Sequence, residues 1–283
     1  MVCLVAGKKA AGPLLVFMVL LALLPSGARA DDQPFLTLYS TDIDTQAEKE
    51  VEQWLGWKTG QTGKSYNEFT SRSEFEYGIT DELQGSLYLN YDWSREREGG
   101  GPADTQSFAG VSGELIYQVM NVYFDPFGLA FYLEPTYSGP ERSIETKILL
   151  QKNFFNDTLR LVFNTNFEDR WNHEQGHRAK TSGLEFDTGL AYNITPELSA
   201  GIEFDNERDY EGLIIGTPSS QQTSAFYIGP TIYYIGHPIT VTFGVQAQLP
   251  WGGNSAHVPG AVTNGFVSDA ERFRATLRLS HDF

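Results

Sequence analysis

Acidic side chains recur at alternate positions along much of this chain. Glu74 and Glu76 are separated by one residue, and Glu203 and Asp205 repeat that spacing. Residues two apart in an extended strand project from the same face, so this spacing predicts carboxylates gathered on one side of each segment. The acidic positions in this pattern are Glu68, Glu74, Glu76, Glu114, Glu134, Glu145, Glu185, Asp187, Glu203 and Asp205.

Basic side chains fall on the same faces and leave two chemistries open. They are Arg72, Lys147, Arg160, Arg272, Arg274 and Arg278. A wall of carboxylates favours cations in a water-filled passage, and an opposed row of arginines can hold acidic solutes. The same groups can instead neutralise one another, because an unpaired buried charge is costly. The sequence therefore allows either a charged conduit or an interior closed by ion pairs.

Histidines are weak candidates for catalysis. His173 and His177 lie four residues apart, a spacing that places two imidazoles on one face of a helix, as metal sites use. The segment around them has no helical pattern, so we interpret it as a polar loop. The sequence contains no Gly-x-Ser-x-Gly nucleophile elbow, and Ser280, next to His281, falls on the opposite face of the predicted strand. We therefore predict no enzymatic activity, no catalytic residues, no metal site and no cofactor.

Composition argues against three further possibilities. The single cysteine is Cys3, so neither a disulfide-stapled scaffold nor a thiolate metal site is expected. The formal net charge is −16, which argues against nucleic acid as a partner because phosphate binding requires clustered Lys and Arg.

The first thirty residues have the three parts of a cleaved secretory signal. Lys8 and Lys9 form a basic start, an apolar run follows over 13–24, and small residues stand at Ala28 and Ala30. The apolar run is too short for a membrane helix, which needs about twenty residues. We therefore assign 1–30 to a signal peptide and exclude it from the fold.

Alternation of apolar and polar residues dominates the rest of the chain. In residues 66–79, Phe69, Phe75 and Tyr77 fall on one face and charged residues on the other. A period of two predicts strands with one apolar and one charged face. The predicted strands are 50–58, 66–79, 83–93, 107–119, 128–138, 143–153, 159–167, 184–194, 198–205, 223–235, 239–249 and 273–283.

The links between these strands alternate in length. Short turns alternate with longer polar links at 94–106, 169–181, 207–222 and 250–270. Outer-membrane barrels have short periplasmic turns and longer extracellular loops. The sequence therefore predicts an all-β fold: a single transmembrane antiparallel up-and-down β-barrel of about twelve strands.

Three details complete the predicted barrel. A periplasmic N-terminal segment occupies 31–48, and the barrel occupies 49–283. Aromatic residues such as Trp54 and Trp57 are expected in interfacial girdles. Pro135 and Pro230 fit poorly, since each removes a hydrogen-bond donor from a strand.

The last predicted strand resembles the C-terminal signature of bacterial outer-membrane proteins, which the barrel-assembly machinery reads. Its assembly-signal residues are Phe273, Leu277, Leu279 and Phe283. His281 departs from the signature, where an aromatic or aliphatic residue is usual.

Three longer segments carry a family resemblance: 50–55 (EVEQWL), 73–78 (SEFEYG) and 125–135 (DPFGLAFYLEP). They resemble a family of uncharacterised Gram-negative outer-membrane β-barrel proteins of porin or transporter type. The resemblance implies the fold and the outer-membrane location. It implies no substrate and no catalytic residue.

These observations lead to one functional hypothesis and two alternatives. We expect a passive channel for small hydrophilic solutes through an acidic-lined lumen. The alternatives are a non-conducting structural or surface-interaction barrel and, less favoured, a lipid hydrolase acting at the rim. Expected partners are outer-membrane lipid, lipopolysaccharide and the barrel-assembly machinery. The expected lumen-lining residues are Glu74, Glu76, Glu134, Glu185, Glu203, Arg274 and Arg278.

Overall fold

The computed structural model describes residues 33–97, 102–139, 141–174, 177–213 and 220–283. The signal peptide predicted at 1–30 lies outside these residues. The long strands are β1 (Lys49–Gln61), β2 (Lys64–Thr80), β3 (Leu83–Arg97), β4 (Pro102–Met120), β5 (Gly128–Tyr137), β6 (Glu141–Phe154), β7 (Leu159–Glu174), β8 (His177–Thr195), β9 (Leu198–Glu211), β10 (Gln221–Tyr234), β11 (Thr240–Gln248) and β15 (Phe273–Asp282). Three two-residue strands lie between β11 and β15: β12 (Gly253–Asn254), β13 (Val262–Thr263) and β14 (Phe266–Val267).

The twelve long strands form one closed antiparallel barrel. Each strand from β1 to β10 pairs with the next one in sequence, and β15 pairs with both β11 and β1. Closure leaves no strand edge unpaired, which a sheet inside a lipid bilayer requires. The predicted fold class and strand number are therefore confirmed. The described residues contain no helix long and apolar enough to cross a membrane.

The alternation in sequence becomes an apolar outer wall and a polar inner wall. Leu87 is 68% exposed and Phe69 is 48% exposed, whereas Glu74 and Gln84 are at most 4% exposed. On the outside, the Phe69 ring lies 6.5 Å from Trp57 and 5.3 Å from Trp93. This aromatic cluster fits an interfacial girdle.

Several predicted links are shorter than the sequence suggests. Most of the polar stretch 169–181 belongs to β7 and β8, with His173 paired to Arg178. The prediction of a loop there was wrong. Hydrophobic alternation stops where the wall leaves the membrane, but backbone pairing continues into water, so polarity marks the membrane boundary rather than the strand end. The prediction of a long link before β15 holds, since residues 249–272 carry only the three short strands.

The two strand prolines lie where the ladder pauses. Pro135 pairs with Ile144 of β6, but it has no registered partner on β4, where pairing skips from Leu115–Leu133 to Ser112–Thr136. Between β10 and β11, pairing skips from Ile228 to Thr231, past Pro230. Proline has no N–H group and cannot donate a hydrogen bond to a neighbouring strand. At each proline the pairing is interrupted on one side, so no donor is needed there.

The barrel closes where β15 meets β1. The Phe283 N–H group donates to the Lys49 carbonyl at 3.0 Å, and the Phe283 ring lies 6.4 Å from the ring of Phe75 on β2. His281 is 2% exposed, with Nδ1 2.5 Å from the Pro238 carbonyl oxygen. Its imidazole is therefore held by the turn before β11 rather than projecting freely into lipid.

Phe283→Ala is expected to reduce the amount of assembled barrel, because it removes the aromatic contact that spans the closing strands. The measurement is the fraction of protein in outer-membrane fractions that runs as a compact band before heating. Phe131→Ala is the matched control, since Phe131 lies on β5, away from the closing strands, and is 48% exposed. Equal losses in both variants would contradict a specific role for Phe283.

Candidate lumen site

Residues 33–44 lie inside the barrel. They form most of the segment for which the sequence suggests a periplasmic position. In the structure, Phe35, Leu36, Leu38 and Ile43 are each at most 6% exposed, although no regular strand includes them. The lumen is therefore partly filled by a piece of chain that precedes the first strand.

Backbone groups of this internal segment are bound by polar side chains of the wall. Thr41 N–H donates to Gln151 Oε1 at 2.8 Å, and Asp44 N–H donates to Gln84 Oε1 at 2.7 Å. Gln118 Nε2 donates to the Thr41 carbonyl at 2.6 Å. These amides satisfy backbone groups that would otherwise be buried without partners.

The far end of the segment is bound by charged groups. Glu203 accepts hydrogen bonds from Leu36 N–H and from the Thr37 hydroxyl. The Gln33 carbonyl accepts from Arg278 and from the Thr242 hydroxyl. Two of the predicted lumen residues, Glu203 and Arg278, thus lie inside and contact the internal segment.

Apolar side chains of the segment pack where the inner wall carries small residues. Phe35 and Leu38 cluster with Val162 and Ala191. A Cβ added at Gly189 would lie 2.5 Å from the Phe35 ring and 2.8 Å from Leu38. Glycine at this position therefore leaves the space that the segment fills.

A second contact region combines charge and aromatic rings. Asp42 Oδ2 lies 3.6 Å from an Arg160 nitrogen, and both side chains are buried. The Tyr39 ring packs edge-on against Tyr132, with centroids 5.0 Å apart. Lys147 Nζ lies 4.3 Å from the centroid of Tyr39 and 4.5 Å from that of Tyr132, distances at which a cation is attracted to an aromatic face.

Beside the segment is a cavity of about 350 Å³. The segment contributes Leu36, Thr37 and Tyr39 to its lining, and the wall contributes groups of both charges. The charged wall residues are Arg72, Asp92, Glu145, Lys147, Glu185 and Asp187. Glu185 is thereby placed at the cavity, where its carboxylate accepts a hydrogen bond from Asn166 at 3.1 Å.

Ion pairs cross the inner wall between distant strands. Arg72 of β2 contacts Glu134 of β5 at 2.7 Å. Arg274 of β15 contacts both Asp205 and Glu207 of β9. Glu134 and Arg274, both predicted to line the lumen, are thus paired within it.

The other two predicted lumen residues, Glu74 and Glu76, meet a residue that sequence reasoning missed. One carboxylate oxygen from each of them and one from Glu52 lie within 4.8 Å of one another. Trp54, predicted in the outer girdle, instead faces inward and donates from Nε1 to Glu52 at 2.6 Å. Glu52 and Trp54 are two residues apart, and residues two apart in a strand face the same side of the sheet. This spacing was the sequence signal that both side chains face the lumen.

Asp44, at the end of the internal segment, is enclosed by acidic neighbours. It is fully buried. Burial, together with Glu48, Asp282 and Glu52, raises the pKa of Asp44 to about 7. Carboxyl groups are therefore concentrated at this end of the lumen.

The chain resembles a known sequence family and several solved structures. The chain belongs to a family of unknown function, DUF6662, whose sequence profile matches residues 27–283. No curated protein sequence matches the chain significantly.

Solved structures show the same fold. An outer-membrane channel from Pseudomonas putida F1 is 10% identical, with a TM-score of 0.59, covering 91% of this chain and 100% of that one. The beta domain of the Bordetella autotransporter BrkA is 9% identical, with a TM-score of 0.54, covering 84% of this chain and 100% of that one. The protein thus has the fold of outer-membrane β-barrels, and this fold with its apolar outer wall places it in the bacterial outer membrane.

Gly189→Leu is expected to displace the internal segment, because the new side chain would occupy the space of Phe35 and Leu38. The measurement is thiol labelling of a cysteine introduced as Ser40→Cys, a fully buried position, and we expect labelling several-fold faster with Gly189→Leu. The only native cysteine is Cys3, which lies within the predicted signal.

Gly183→Leu is the matched control. Gly183 lies on the same strand and face, but its added Cβ would have no neighbour closer than 3.7 Å. Slow labelling in both glycine variants would show that the segment does not depend on this contact.

Proposed function

We propose that this barrel is a passive channel for small hydrophilic solutes, with the internal segment 33–44 as its constriction. The observation that carries the proposal is the charged cavity of about 350 Å³ beside that segment, inside a wall whose outer face is apolar. A polar interior with room for water is what passage of hydrophilic solutes requires.

Barrel size supports the proposal. Eight strands enclose a space that side chains fill, whereas sixteen leave a wide aqueous channel. Twelve strands enclose an intermediate space, and residues 33–44 take up part of it. Because one piece of chain sets the remaining width, small solutes are favoured over large ones.

The charge of the wall points to a preference for cations. Carboxylates outnumber basic groups among the inward residues named above, and rings of carboxylates favour cations. At the cavity itself, Glu145 and Glu185 lie close to Lys147, so the local field is mixed. We therefore propose a moderate cation preference rather than a strict filter.

A non-conducting barrel is the second candidate. The pairs Arg72–Glu134 and Arg274–Asp205 favour it, because they link strands across the interior. The internal segment also favours it, because it fills part of the lumen. In that case the charges stabilise the wall and the lumen stays closed.

Neither candidate function includes an enzymatic step. For both we propose the partners inferred from the sequence, which are outer-membrane lipid, lipopolysaccharide and the barrel-assembly machinery.

Planar-bilayer conductance of the refolded mature protein tests the channel directly. We expect discrete openings with a reversal potential that favours cations in a salt gradient. Conductance should rise several-fold in Gly189→Leu, because the constriction moves, and stay near wild type in Gly183→Leu. The double variant Glu145→Gln and Glu185→Gln should reduce cation preference, because it removes two carboxylates at the cavity.

Folding of each variant is checked by its compact electrophoretic band before heating. A bilayer that stays silent for folded wild type and for folded Gly189→Leu would overturn the channel proposal and favour the closed barrel.

A further inference from the structure

The acidic cluster of Glu52, Glu74 and Glu76 is not explained by solute passage. Each side chain is at most 5% exposed. In the β1–β2 register, Glu52 lies directly opposite Glu74, and Glu50 lies directly opposite Glu76. Two neighbouring cross-strand positions thus pair like charges, an arrangement that destabilises a sheet unless something neutralises it.

Two basic groups near the cluster are each shared with another partner. Arg278 Nε is 3.6 Å from Glu52, but its guanidinium also binds the Gln33 carbonyl. Arg72, two residues from Glu74, is paired with Glu134 at 2.7 Å. Further carboxylates surround the cluster: Glu50 and Asp44 lie near Glu76, and Glu48 and Asp282 lie near Asp44.

Unpartnered oxygens point independently to a missing ligand. Glu74 Oε2 is buried without a hydrogen-bond partner among the described residues. Asp44, near the cluster, is 0% exposed, and neither of its carboxylate oxygens has a hydrogen-bond partner among those residues. Gln84 links the two features, since it accepts from Asp44 N–H and donates to Glu76. Buried acceptors of this kind require a donor or a cation.

We propose that Glu52, Glu74 and Glu76 bind a divalent cation, with Ca²⁺ as the best match. The three residues offer only carboxylate oxygens, which hard cations prefer. Ca²⁺ accepts irregular sets of six to eight oxygen ligands, whereas Mg²⁺ demands near-ideal octahedral geometry. Three carboxylates on two neighbouring strands provide an irregular set that water can complete.

The position of the site gives the cation a structural role. Glu52 contacts Arg278 of β15, the strand that closes the barrel against β1, and Asp44 ends the internal segment. A cation here neutralises the strand pair β1–β2 beside the closing seam. Binding to the folded barrel alone raises its stability in proportion to the logarithm of cation concentration. This inference stands whether or not the lumen conducts.

Trp54 makes the site directly observable. Its indole Nε1 donates to Glu52 at 2.6 Å, so a Tb³⁺ ion bound at the cluster would lie close enough for sensitised emission from Trp54. We expect Tb³⁺ emission from the folded barrel in detergent that Ca²⁺ displaces. Trp54→Phe should remove most of that emission.

Ligand variants locate the ion. Glu74→Gln and Glu76→Gln should each weaken Tb³⁺ and Ca²⁺ binding about tenfold or more, because ligand charge sets calcium affinity. Glu168→Gln is the matched control, a glutamate of the β7 inner wall paired with Arg170. The Glu168→Gln variant should bind Tb³⁺ and Ca²⁺ as tightly as the wild type does.

Thermal unfolding gives a readout that does not depend on emission. The midpoint of wild type should rise when Ca²⁺ replaces EDTA, and this rise should vanish in Glu74→Gln. Folded wild type that gives no emission and no Ca²⁺-dependent rise would overturn the proposal, leaving protons as the neutralising species. Emission that survives in the double variant Glu74→Gln and Glu76→Gln would also overturn it, since the ion would then be bound at surface carboxylates.

Discussion

The packing of residues 33–44 against the inner wall is the interaction on which the interior depends. Twelve strands enclose more space than their own side chains fill. The segment supplies apolar side chains to that space and backbone N–H groups to wall acceptors such as Glu203 and Gln151. The shape of the lumen and part of its charge balance are therefore set by chain outside the strands.

Buried charge is handled in three different ways inside this barrel. Arg72 and Glu134 form a pair between distant strands, which offsets the cost of desolvating both. Glu203 is instead satisfied by hydrogen bonds from the internal segment. The cluster around Glu74 has neither solution in full, because one of its oxygens has no hydrogen-bond partner in the described part of the chain. This oxygen, together with the carboxylates that face each other across β1 and β2, is the basis for proposing a ligand there.

The wall of the barrel could be predicted from the sequence, because an apolar outer face imposes a period of two that short segments reveal. All twelve strands follow that period. The end of each strand could not be predicted so well, since β7 and β8 continue into water where both faces are polar. Trp54 was misplaced for a related reason: its aromatic character suggested the outer girdle, while its parity with Glu52 required the inner face.

The internal segment was harder to predict, because its partners are distant in sequence. Residues 33–44 form no regular element, and the residues that accommodate them, such as Gly189, are read locally as weak points in a strand. A glycine inside a strand costs free energy, but at position 189 it leaves the space that Phe35 occupies. Glu52 and Glu74 also depart from local preference, because like charges directly opposite each other on neighbouring strands destabilise a sheet. Departures from local preference mark positions where a long-range partner must compensate. For Gly189 that partner lies within the chain, and for Glu74 we propose that it is a cation from outside the chain.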